Sequence, residues 1–92
     1  MTDQARPKEQ IHVQVHYIAA AKPFVKDFAP ETTVAILKTE ALEKFKLTES
    51  GNKSYKLFLH KKELNNPAAT LAQVAEGKHD LNIDLEEFIT QG

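Results

Sequence analysis

The chain closes on "EEFITQG", and its last residue offers the clearest opening for chemistry. A terminal Gly92 presents a carboxylate with no Cβ beside it, so a partner's backbone can approach closely. It is either a chemical handle or an ordinary frayed end. The four histidines invite a metal reading. His12 and His16 share a strand face but stand about 13 Å apart along it, too far for one ion with bonds of about 2 Å. His60 and His79 have no neighbour at ligand spacing, so no metal site is expected and solvated surface histidines are the better account. Glu86 and Glu87 are adjacent, and neighbours on a strand face opposite ways, which rules out a shared acid–base geometry. Ser50 and Ser54 sit in a polar loop with no nucleophile-elbow pattern, and no glycine loop suits a phosphate. No catalytic residue and no cofactor is expected. Lys53, Lys56, Lys61 and Lys62 cluster around one stretch and read as a recognition patch, as acceptors for acylation, or as a solvated charged face.

The composition narrows the classes. With 92 residues the chain makes one domain, too small to enclose a deep active site. Hydrophobic residues at 41% and charged residues at 27% describe an ordinary globular domain, not a disordered one. A net charge of −1 argues against nucleic acid, which calls for a cationic excess. The chain has no cysteine, which removes disulfides and thiolate sites and fits a reducing, cytoplasmic setting. No stretch approaches the roughly 20 apolar residues of a membrane helix. Residues 1–10, "MTDQARPKEQ", lack an apolar run; they read as a disordered polar arm, not a signal peptide.

The elements that must position these side chains follow from periodicity. In "IHVQVHYI", Ile11, Val13, Val15 and Tyr17 alternate with polar residues, the mark of a half-buried strand. "FVKDF" is a second strand with Phe24 and Phe28 on one side. Lys26 falls between them on that same side, and a bulge at Val25 would repair the phase. Pro30 closes the sheet, Thr32 or Thr33 caps a helix, and Val34, Leu37, Ala41 and Phe45 give it an apolar stripe running to about Lys46. "YKLFLH" is a third strand, with Leu57 and Leu59 on one face and Phe58 on the other. A short edge strand centred on Leu64 and a short helix in "ATLAQVA" follow. "LNIDL" is the last strand, with Leu81, Ile83 and Leu85 inward. The order β-β-α-β-(β)-α-β lets one helix cover one face of a mixed sheet, an α+β fold.

In this order the chain resembles the ubiquitin-like, β-grasp family over residues 11–85. "FAPETTV" is similar to that family's strand-to-helix junction, with a proline, a threonine cap and an apolar residue. "LFLHKKEL" resembles its third strand and turn, Thr70–Leu71 the start of its short helix, and "LNIDL" its last strand. Small bacterial ubiquitin-like proteins are the nearest subgroup. The resemblance implies a mixed sheet of four to five strands on one helix, an ubiquitin-like domain over 11–85, and a flexible tail over 86–92. Seven extended residues reach roughly 23 Å, enough to thread into a partner.

The resemblance also implies a function. A family modifier is adenylated at its terminal glycine, passed to a conjugating enzyme, joined to a target, and released by a deconjugating protease. Gly92 would be the conjugation point, with Phe88, Ile89 and Gln91 read by these enzymes, although Phe88 and Ile89 can equally fold back or extend the last strand. The family's interaction patch falls at Ile18, Phe58 and Asp84, with His16, His60 and Lys56 around it. Phe58 would be an exposed anchor with Ile18 nearby, and Lys62 stands where the family has a linkage lysine. The tail departs from the family pattern: it is acidic at Glu86 and Glu87 and has one terminal glycine where two are usual. Two other readings therefore stand beside the modifier: an interaction module whose tail is never activated, and a sulfur carrier.

Overall fold

The computed structural model describes residues 10–90. The arm expected over residues 1–10 lies, apart from Gln10, outside them, as do Gln91 and Gly92. The elements are β1 (Ile11–Tyr17), β2 (Phe24–Phe28), α1 (Val34–Phe45), β3 (Lys53–Leu59), β4 (Lys62–Glu63), α2 (Leu71–Ala75) and β5 (Asp80–Ile89).

The five strands form one sheet in the order β2-β1-β5-β3-β4. β1 runs parallel to β5, and the other neighbours are antiparallel. The first and last strands are thus paired at the centre, because α1 carries the chain across the sheet between them. The inward positions read from the alternation are the buried ones: Ile11, Val13 and Val15 on β1, and Leu81, Ile83 and Leu85 on β5. They meet Val34, Leu37 and Ala41 of the helix stripe, with Phe45 partly buried at its end.

Lys26 shows how an edge strand tolerates a cation in an apolar row. The β1–β2 register is continuous from Ile11↔Phe28 to Val15↔Phe24, so the expected bulge at Val25 is absent. Only β1 lies beside β2, and the long stem of Lys26 therefore escapes at the sheet's margin. Its ammonium lies 2.6 Å from Glu40 of α1 and 5.2 Å from the centre of the Phe28 ring.

Thr33 caps α1: its side chain accepts from the Ile36 N–H at 3.3 Å. The helix ends one residue before Lys46, which turns left-handed at φ 60 and gives its N–H to the Glu43 and Leu42 carbonyls. α2 opens on a complete capping box between Thr70 and Gln73, which lets a helix of only five residues form. Its Leu71 and Ala75 close the open side of the core.

Two boundaries differ from expectation. The short edge strand is Lys62–Glu63, with Leu64 just past it, because a two-residue turn pairs Leu59 directly with Lys62. β5 continues through Ile89, so residues 86–89 are sheet and not tail. β3 begins at Lys53, two residues before the "YKLFLH" stretch, and its extra length gives those residues a partner.

Candidate functional site: the outer sheet face and the end of the last strand

The face of the sheet away from α1 is built by the outward positions of four strands. One cross-strand row holds His16, Asp84, Phe58 and Glu63, in that order. The next row along β3 and β5 pairs Lys56 with Glu86, and the one after it pairs Ser54 with Phe88. Three of the patch residues named from sequence, His16, Phe58 and Asp84, are therefore neighbours by register. His60 is not in the row; it occupies the tip of the β3–β4 turn, at φ 53. Ile18 is 97% exposed just beyond β1 and lines an open hollow with His16, Asp84 and Glu86. Lys62 is exposed on β4.

Phe58 is not the freely exposed anchor expected of it. It is only partly exposed, and the ring centre of Phe88 lies 6.1 Å from its own. The Lys56 ammonium stands 5.1 Å from the Phe88 ring centre and 3.7 Å from Glu63. Of the alternatives open for Phe88 and Ile89, strand extension is the one observed. Phe88 and Ile89 remain 38% and 60% exposed.

The same segment is fastened on its other face. Glu87 points to the helix side, where it accepts a hydrogen bond from the Tyr55 hydroxyl at 3.1 Å and lies 3.6 Å from the Lys53 ammonium. Burial pushes the Tyr55 hydroxyl up to about 12, and its bond to the Glu87 carboxylate adds to the rise. The Thr90 N–H donates to the Asn52 carbonyl at 2.7 Å. From Thr90 onward three residues span at most about 11 Å, less than half the reach expected of a tail starting at Glu86.

The sequence carries no clear signal for these contacts: the apolar alternation of "LNIDL" breaks after Leu85, and the continued strand places the charged Glu87 inward and the aromatic Phe88 outward. A second unforeseen device guards the outer edge of β3. Glu49 accepts from the Tyr55 N–H at 2.9 Å and pairs with Lys38 at 3.1 Å. The bond from the Tyr55 N–H, then that from Lys38, lowers the Glu49 carboxyl below its ordinary value. Elsewhere on the sheet, His12 pairs with Asp27 across strands at 2.7 Å. Among the described residues no group of three or more metal-ligating side chains gathers, and no helix is long and apolar enough to cross a membrane.

A mixed five-stranded sheet grasping one long helix, with the first and last strands paired in parallel at its centre, defines the ubiquitin-like β-grasp class of fold. Solved structures agree. The chain superposes on a ubiquitin from Caldiarchaeum subterraneum with a TM-score of 0.69 at 18% identity, covering 90% of this chain and 95% of that one. It matches the ubiquitin-like domain of yeast Ddi1 at 0.70 and 9% identity, covering 95% and 99%. It matches Trypanosoma brucei ATG8 at 0.65 and 10% identity, covering 91% and 78%. Compared by sequence, the chain matches no protein-family model and no curated protein.

Proposed function

We propose that this protein is a ubiquitin-like modifier joined to targets through Gly92. The observation that carries the reading is the complete β-grasp fold with a glycine three residues past the end of its last strand. In the proposed sequence an activating enzyme transfers AMP from ATP to the Gly92 carboxylate and releases pyrophosphate. A cysteine thiol of that enzyme displaces AMP to give a thioester. The acyl group passes to a conjugating enzyme's thiol, and a target amine finally takes it as an isopeptide and releases the thiol. The chain is the substrate of this chemistry. Phe58, His16 and Asp84, flanked by Lys56 and Ile18, form the docking face, and a deconjugating protease reverses the bond.

A second reading is favoured by a specific observation. Residues 86–89 are held in the sheet, which suits an interaction module whose tail is never activated. One experiment separates the two. A tagged copy is purified from its host under denaturing conditions and digested with a glutamate-specific protease, which cuts after Glu87. The remnant FITQG on lysines of other proteins, lost when Gly92 is deleted, establishes the modifier. Only free FITQG, with an intact mass showing neither adduct nor thiocarboxylate, leaves the interaction module; a thiocarboxylate would revive the sulfur carrier.

A further inference from the structure

The end of β5 ties together two features that the proposed function treats separately. The Phe88 ring packs against that of Phe58, with Lys56 over the Phe88 ring, on the outer face. Glu87 is held by Tyr55 and Lys53 on the inner face, and Thr90 is held by Asn52. Every one of these contacts lies within the four residues before Gln91. They therefore open together if the strand end lifts, and they close together if it zips.

We propose that residues 87–90 form a strap: while it is closed the tail is withheld and Phe58 is half-covered, and a partner that draws the tail out uncovers the aromatic anchor of the docking face. The strap's role rests on the reading of Gly92 as a handle, while its existence as an opening unit does not. Two physical facts support it. First, three residues past Ile89 span at most about 11 Å, whereas lifting residues 87–90 lets the six residues from Glu87 extend about 20 Å. Second, the strap is the weakest part of β5. Its buried apolar positions end at Leu85, and residues 86–90 are all exposed. Terminal segments with few buried contacts open at low free energy without the rest of the sheet. Tail engagement and anchor exposure then belong to one equilibrium, so a partner that binds both gains positive coupling between them.

The test uses the full chain and no enzyme of the pathway. Native limited digestion with a glutamate-specific protease releases FITQG only when the strap is open, and intact mass follows its loss. Phe58→Ala removes one ring of the clasp and leaves the cleaved sequence unchanged. It should speed release about tenfold, the upper range for losing an aromatic pair, with slow amide exchange at Ile83 unaltered. Phe58→Leu serves if the alanine variant does not fold, with a smaller acceleration. Phe88→Ala should raise binding of an apolar fluorescent dye, and Phe58→Ala/Phe88→Ala should abolish the rise. Release at the wild-type rate from Phe58→Ala, or acceleration matched by equal loss of protection at Ile83, overturns the strap. Failure to find FITQG on targets while release still accelerates removes the modifier reading and leaves the opening unit standing.

Discussion

The β3–β4 turn holds two residues, His60 at φ 53 and Lys61 at φ 68, both in the left-handed region and neither glycine. Two-residue hairpin loops favour this geometry because its twist matches the flanking strands. An L-residue there costs roughly 1–2 kcal/mol. Lys61→Gly removes that cost, and the added freedom of glycine in the unfolded chain takes back about 0.5–1 kcal/mol. Lys61 is exposed and makes no ion pair with another described residue, so little else is lost. The variant should gain about 0.5–1 kcal/mol, or about 2–8 °C in Tm for a domain of this size. Urea unfolding followed by circular dichroism measures it. Gly77, at φ 91, supplies the converse: a Cβ built there meets nothing within 4 Å, so Gly77→Ala reports backbone strain, offset by the reduced freedom of the unfolded chain, and no steric clash. It should lose about 1 kcal/mol. A Lys61→Gly variant less stable than wild type would refute the reasoning, since it would mean that the lysine side chain and not the backbone sets the balance at this turn.

The two groups with shifted acidities, Tyr55 on β3 and Glu49 in the loop before it, respond at opposite ends of the pH scale. The folded chain holds the Tyr55 proton to about 12, above its ordinary 10.0, so that contribution to stability is complete below pH 10 and fades as pH rises from 10 toward 12. Ultraviolet titration should show phenolate absorbance still incomplete until the pH approaches 12 or the chain unfolds; Tyr55 ionising at its ordinary 10.0 in the folded state would contradict this. Glu49 behaves in the reverse sense. Its folded value lies below 4.5, so its contribution is present above that pH and is lost as pH falls through the lower folded value. Glu49→Gln should flatten the acid limb of the urea midpoint against pH, with only a modest loss at neutral pH because the side chain is 38% exposed. An unchanged acid limb would show that the Glu49 carboxylate is not the group that fastens this edge.

The core and the order of elements were legible because they rest on local alternation and on caps. Val13, Val15, Leu57, Ile83 and Leu85 could be placed from a period of two, and Leu37 and Ala41 from a helical one. Lys26 departs from the expected bulge for a physical reason. A phase rule treats every position in a strand as equally enclosed, whereas a strand with one neighbour leaves its cation a way out. The candidate site was legible only in part. The likeness to the ubiquitin-like family pointed to Phe58 and Asp84, and register then set them beside His16. His60 shares the Phe58 face by alternation in the sequence, whereas the structure sets it at the tip of the β3–β4 turn.

The sequence by itself determined which residues turn inward and where α1 and α2 begin. Each of these depends on neighbours within a few residues. Tertiary structure alone decided where the last strand stops. The alternation from Asp80 to Ile89 is compatible with a free tail or with a strand, because a strand end exists only if another strand supplies its hydrogen bonds. β3, begun at Lys53 and some thirty residues earlier in the chain, supplies them. It thereby brings Phe88 onto Phe58 and Glu87 onto Tyr55, contacts that no spacing within the tail encodes.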